Sequence, residues 1–339
     1  MKNLLFAIFT LSLTFILPAS AFAQNVDLTV SPVFFDFSPD PGEVLKDKVR
    51  VHNNTSTPLQ LTITIDSMGV NDRGDVVPQA LPSTENSNWF SFTANKITVP
   101  ANEWLDVPYT ISVPQNAAFG NYFAITFAPA VTKTPGSNAL VQGNVVVPVL
   151  LNVQKEGSIA TASIESFQVG SFVNEFLPVD FSVSVKNTGN IHLSPRGNIF
   201  IRGGGDKDLA ILEINSAKSN ILPNSARAFT SKWSDGFLVR ESVLENGVAK
   251  LNNRGEPLTK IVINWNKLTN FRIGKYTAYV LLAYDDGKRD VPIDATTTFW
   301  VFPYTAVIIG VGLVLLVLIG GSAGLKAMVK REAKKLRSQ

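Results

Sequence analysis

An all-β fold, two tandem immunoglobulin-like β-sandwiches followed by one C-terminal transmembrane helix, is predicted by three features of the chain. The first is period-2 alternation, as in Val49-Arg50-Val51-His52, in Leu59 to Ile65 and in Val179 to Val185. Alternating apolar and polar residues put one face of a strand on a core and the other in water. The second is turn punctuation between those runs: Pro39-Asp40-Pro41-Gly42, Asn53-Asn54-Thr55, Asn187-Thr188-Gly189-Asn190 and Asp285-Asp286-Gly287. Short strands at this spacing suit a sandwich. The third is the pair of apolar runs at the two ends.

Lys2, the run from Leu4 to Leu17 and the small-residue sequence Ala21-Phe22-Ala23 have the order of a secretory leader, so residues 1–23 are expected to be a cleaved signal peptide. Residues 303–325 hold an uncharged stretch from Tyr304 to Leu325, long enough to cross a hydrocarbon core of about 30 Å. Trp300 and Tyr304 stand where interfacial aromatic anchors would lie, and Lys326, Lys330 and Arg331 open a basic tail, 326–339, read as cytoplasmic. The expected topology is a single-pass cell-membrane protein with its N-terminal part outside. Gly320 and Gly324 are spaced to let two such helices dimerise.

Of 30 Lys and Arg, seven lie in the leader or the tail, and of 27 Asp and Glu only Glu332 does. The remaining part is near −3, which argues against a nucleic-acid partner. The chain has no cysteine, so its stability rests on apolar cores and thiolate chemistry is excluded.

The part between the apolar ends repeats itself in outline. Val49-x-Val51-x-Asn53-Asn54 matches Val183-x-Val185-x-Asn187-Thr188, Ile97 to Asn102 matches Asn220 to Ser225, and Gly120-x-Tyr122-x-Ala124 matches Gly274-x-Tyr276-x-Ala278. The domains are therefore placed at 25–154 and 155–302, meeting near Gln154-Lys155-Glu156-Gly157. Tyr122 and Tyr276 are expected to be framework tyrosines at sandwich corners. The copies differ in spacing: Asn53 to Pro100 covers 47 positions against 36 for Asn187 to Pro223, while Pro100 to Gly120 covers 20 against 51 for Pro223 to Gly274. The second domain thus carries an insertion near 234–271, read either as a binding loop or as an added hairpin, since Lys260 to Trp265 alternates like a strand.

No enzymatic constellation is present. His52 and His192 lie at the repeat's turns, where a solvent-facing position is expected, and no Gly-x-Ser-x-Gly, P-loop or dinucleotide fingerprint accompanies them. The acidic turns at Asp72 to Asp75 and Asp285 to Asp290 carry interleaved cations and lack a calcium-loop pattern. No cofactor or metal is expected. The candidate ligand surface is Trp89, Arg240, Arg254 and Trp265, with Phe90 and Phe92 assigned to a core face and Trp89 left freer.

Phe34-Phe35-Asp36-Phe37, Pro41-Gly42, Val49 to Thr55, Pro58, Asn71-Asp72-Arg73-Gly74 and the stretch from Pro100 to Tyr122 resemble the peptidoglycan-binding domain of WxL-interacting proteins. That resemblance implies a bacterial surface protein whose first domain binds the wall, with a cell-wall polymer or another surface protein as partner. The resulting expectation is a non-enzymatic tether of cell wall or another surface component to the membrane. The alternatives are a chaperone-like assembly factor acting by β-strand addition, or an accessory subunit of an envelope transporter or secretion complex.

Overall fold

A computed structural model describes residues 27–71, 76–79, 87–129, 143–205, 207–245, 247–305 and 307–319. The leader at 1–23, the turn at Asp72 to Asp75, Gly320, Gly324 and the tail with Lys326, Lys330 and Arg331 lie outside the described residues. The chain is mostly β. Its first half contributes β1 (Leu28–Ser31), β2 (Phe35–Phe37), β3 (Val44–Asn53), β4 (Leu59–Val70), β5 (Val76–Gln79), β6 (Phe90–Phe92), β7 (Lys96–Val99), β8 (Trp104–Ser112), β9 (Gly120–Pro129) and β10 (Val145–Asn152). One sheet runs β1-β3-β8-β6, the other β2-β10-β9-β4-β5, with β7 also on β4. Val49, Val51, Val107 and Ile111 of the first sheet meet Ile63, Phe123, Ile125, Phe127 and Val149 of the second in one core. The two sheets therefore face each other, as the alternation demands.

The second half contributes β11 (Ala162–Val169), β12 (Val173–Asn174), β13 (Val179–Asn187), β14 (Arg196–Arg202), β15 (Asp208–Ile214), β16 (Ala226–Trp233), β17 (Leu238–Ser242), β18 (Leu244–Glu245), β19 (Val248–Ala249), β20 (Thr259–Ile263), β21 (Gly274–Asp285) and β22 (Asp290–Val301). A three-stranded sheet β11-β13-β16 faces a five-stranded sheet β12-β22-β21-β14-β15. Its core is aromatic at the centre: Trp233 stands 5.2 Å from Tyr276 and 6.1 Å from Phe299, ring to ring. Burying each such side chain stabilises by about 1.5–3 kcal/mol, and a cysteine-free chain depends on that. The halves share a device: the first strand is split, its second piece crossing to pair in parallel with the last strand, β2 on β10 and β12 on β22. The arrangement is consistent with immunoglobulin-like sheets.

Residues 234–271 fold as an arm. β17 pairs with β20, β18 with β19 beyond them, and a 3₁₀ segment over Trp265–Asn270 returns the chain to β21. After β22 a helix begins at Tyr304 and is described to Ile319. Among the described residues no helix is long and apolar enough to cross a membrane, so the span expected over 303–325 is not found and the single-pass placement built on it is withdrawn.

Candidate functional site

The register of β16 follows from one hydrogen bond. The Asn187 N–H donates to the Ser225 carbonyl at 2.9 Å, which makes 187/225 a hydrogen-bonded pair. In an antiparallel ladder bonded and non-bonded pairs alternate. Arg227, Phe229, Ser231 and Trp233 therefore turn their backbone groups toward β13, and Ala226, Ala228, Thr230 and Lys232 turn theirs outward. Among the described residues no strand pairs with that outer side. In the first half the corresponding strand, β8, is covered by β6 through Phe90↔Ile111, Ser91↔Thr110 and Phe92↔Tyr109. The shorter span from Asn187 to Pro223 is what removes the cover, because β15 leads to β16 without an intervening strand.

Another long edge lies on β22. There the Trp300 N–H donates to the Phe172 carbonyl at 2.8 Å, so Thr298, Thr296, Asp294 and Pro292 face outward beyond β12. A proline without an N–H and a carboxylate are the residues that discourage strand pairing. β16 has no proline: it presents two alanines, a threonine and a single edge-protecting charge, Lys232, whose ammonium lies 3.3 Å from Asp180.

At its C-terminal end β16 opens into a groove of about 780 Å³ under the arm, whose walls include Lys232, Ser234, Val239, Arg240, Ile263 and Trp265. Trp265 is 72% exposed, its ring meeting that of Phe237 edge-to-face at 5.6 Å. Arg240 donates to Glu175 Oε2 at 2.8 Å, and its N–H bonds the Leu177 carbonyl, which ties β17 to the body. Asp235 fastens the return: its carboxylate lies 2.8 Å from Lys267 Nζ and accepts from Asn270 Nδ2 at 2.9 Å. The hydrogen bond from Lys267 holds the Asp235 carboxyl below its ordinary range, aided by the charges of Lys267 and Arg272. A hairpin of two strands is marginal in water, yet this one exposes Ile261 and Ile263 as well as Trp265.

Arg240 and Trp265 thus come together in the groove, while the other two candidates stand elsewhere. Trp89 is 7% exposed and packs on Phe123 at 5.4 Å, the reverse of the freedom expected for it. It ends a 3₁₀ turn just before β6, so the strand's alternation does not govern it. Arg254 sits in the arm's tip, where the Asn252 side chain closes the turn by accepting the Arg254 N–H at 2.8 Å. Trp300 and Tyr304 are partly exposed near the end of β22. Tyr276 faces the second core, whereas Tyr122 lies on the opposite face of its strand from Phe123, Ile125 and Phe127. Its hydroxyl is buried beside the His192 backbone without a well-formed hydrogen bond, and burial foremost pushes it above its ordinary pKa.

His192 is 4% exposed rather than solvent-facing. It belongs to a polar hub between the halves: Nε2 stands 3.0 Å from Asp36 Oδ1, its backbone exchanges two hydrogen bonds of 3.1 Å with the Asn152 amide, and Tyr122 meets the ring at 5.6 Å. Asn220 donates to the other Asp36 oxygen at 3.3 Å. His52 is elsewhere, 4.9 Å from the Trp104 ring. Sequence reading passed over the β16 edge and this hub, although the shortened span to Pro223 was a signal for the first.

No protein-family model matches the chain, and no curated protein matches it. Among solved structures it is similar to the class 5 fimbriae chaperone CfaA, at 12% identity over 80% of this chain and 99% of that one, TM-score 0.36. The YadV chaperone matches at 11% identity over 80% and 100%, TM-score 0.33, and the E. coli chaperone DraB at 11% over 80% and 98%, TM-score 0.34. None of these is a WxL-interacting protein. The family resemblance drawn from Phe34 to Tyr122 is corrected accordingly, and with it fall the cell-wall polymer as partner, the membrane as partner and the role of a wall-to-membrane tether.

Proposed function

We propose that this chain is a non-enzymatic, chaperone-like protein that holds an extended segment of a partner protein by strand addition to the outer edge of β16. In this reading its halves, 25–154 and 155–302, are two immunoglobulin-like sandwiches, and the second provides the binding edge. The observation that carries the proposal is that edge: four outward residues with small or single-charged side chains, without a pairing strand among the described residues where the first half has β6, and running into a groove. Main-chain hydrogen bonds along the edge give affinity to any extended segment, and the groove gives selectivity at one end. Lys232, Arg240 and Lys267 are each held by a carboxylate, which suits a surface that holds a ligand better than one that transfers protons.

The test is a photo-crosslinking amino acid placed at Ala228 in the full chain, in its native host, with Thr296 on the β22 edge as the comparison site. A discrete protein adduct at 228, absent at 296 and abolished by Thr230→Pro, is expected, since proline removes the outward N–H of residue 230. Equal adducts at both edges, or adducts at 228 indifferent to the proline, would sink the proposal.

A further inference from the structure

The first half shows what a strand seated in this position looks like, and that gives the chemistry of the occupant. The Asn53 N–H donates to the Glu103 carbonyl as the Asn187 N–H donates to that of Ser225, and Val49 pairs with Val107 as Val183 pairs with Phe229. Tyr109 therefore corresponds to Ser231, Thr110 to Lys232 and Ile111 to Trp233. On β8 the cover is Phe-Ser-Phe. Ser91 takes the outward backbone groups of Thr110, while Phe90 and Phe92 lie in the closer, non-bonded pairs and lean onto the core. Phe92 stands 6.2 Å from the Tyr109 ring and Phe90 5.1 Å from that of Phe123.

Around β16 the same rim is unfinished. Ser231 replaces the ring of Tyr109, and Leu209, Ala210 and Leu212 of β15 pack on the second core while remaining half-buried. Apolar surface left half-covered beside an unpaired edge gains about 25 cal/mol for each Å² that an incoming side chain removes from water. Lys232, in the bonded position between, suits a small polar residue or an acid opposite it, as Ser91 stands opposite Thr110 in the first half.

Resting on the strand-addition reading, we propose that the β16 edge selects an antiparallel strand with large apolar side chains, aromatic by preference, opposite Ser231 and Trp233 and a small polar residue between them. The residues preceding this motif then enter the groove beside Trp265, because the N-terminal end of an antiparallel strand lies at the C-terminal end of β16.

The probe is a synthetic peptide of the nine residues from Ser87 to Asn95, set against the same peptide with Phe90→Ser and Phe92→Ser. Amide exchange of the full chain is followed at Ala228, Thr230 and Lys232. The aromatic peptide is expected to slow exchange there at least tenfold and to bind at least tenfold tighter than the serine peptide, and Thr230→Pro is expected to abolish the effect. Equal protection by both peptides refutes the aromatic pattern and leaves strand addition standing. So does an edge that crosslinks its natural partner but ignores both peptides. An edge that neither crosslinks nor takes either peptide refutes both proposals.

Discussion

Asn53 and Asn187 perform the same task in the two halves. Each is fully buried; each donates through Nδ2 to the carbonyl four residues ahead, Thr57 or Ile191, and to a carbonyl on the facing segment, Val99 or Ile221. Each Oδ1 accepts from the backbone N–H two residues on, of Thr55 or Gly189. The amide thereby closes a turn and joins it to a segment outside its own sheet, β7 in the first half and the Ile221 bridge in the second. Removing it takes one hydrogen bond from each of two carbonyls and the acceptor from a turn N–H, at about 1 kcal/mol for each of the three bonds. Asn187→Ala is expected to lose about 2–3 kcal/mol in urea unfolding, and Asn53→Ala a similar amount. Asn187→Asp is expected to do no better, because a carboxylate cannot donate to Ile191 and Ile221. Wild-type stability in the aspartate variant would overturn this account.

The arm has an acid-sensitive fastening. Lys267 and Asn270 hold Asp235, whose carboxyl titrates below its ordinary value. A depressed folded-state pKa contributes stability above the unfolded value of about 3.9, which is lost as the pH falls through the folded one. The return segment Trp265–Asn270 is therefore expected to loosen below about pH 4, seen as a change in Trp265 emission. Asp235→Asn should show the loosened emission already at pH 7, with little further change on acidification. A wild-type transition centred near neutrality would assign the effect to another group.

Much of the strand pattern was legible because alternation reports burial directly: Val49 and Val51, or Val183 and Val185, could face only a core. The buried turn asparagines marked the repeat for the same reason. Register was less legible. The structure matches Asn102, at φ 56°, with Asn224, at φ 59°, one residue away from the pairing of Pro100 with Pro223. One residue of slip reverses the face of a strand, and the tyrosine match is such a case on its own account: Tyr276 faces its core, whereas in β9 Phe123 rather than Tyr122 does so. Trp89, His192 and the β16 edge were hidden for another reason: whether they are covered depends on segments far away in the chain, which no local period records.

The hub between the halves makes its own prediction. Asn152 and Asp36 together hold His192 through three hydrogen bonds, and each bond contributes about 1 kcal/mol. The double variant Asp36→Ala, Asn152→Ala should leave each sandwich folded while weakening their mutual orientation. Small-angle scattering should then show a larger maximum dimension, and cleavage near Lys155 should quicken. An unchanged scattering curve would mean that Lys155, bonded to the Ala117 carbonyl and seated 4.4 Å over the Phe119 ring, suffices to fix the halves.

The two candidate tryptophans separate stability from binding. Trp89 is enclosed and its ring meets Phe123, so truncation removes a large buried surface and leaves a cavity that the β6 and β8 backbones cannot collapse to fill. Trp89→Ala is expected to cost about 3–5 kcal/mol of unfolding free energy. Trp265 shows 72% of its surface to solvent and meets only Phe237 among the described aromatic rings, so Trp265→Ala is expected to stay within about 0.5 kcal/mol of wild type. Binding should show the opposite order, because only Trp265 borders the groove into which the β16 edge runs. Loss of crosslinking in Trp265→Ala at unchanged stability, with retention in a folded conservative variant Trp89→Phe, is the expected pair of outcomes. If Trp265→Ala binds as wild type does, the groove makes no contribution, and the edge of β16 must account for partner capture through its backbone alone.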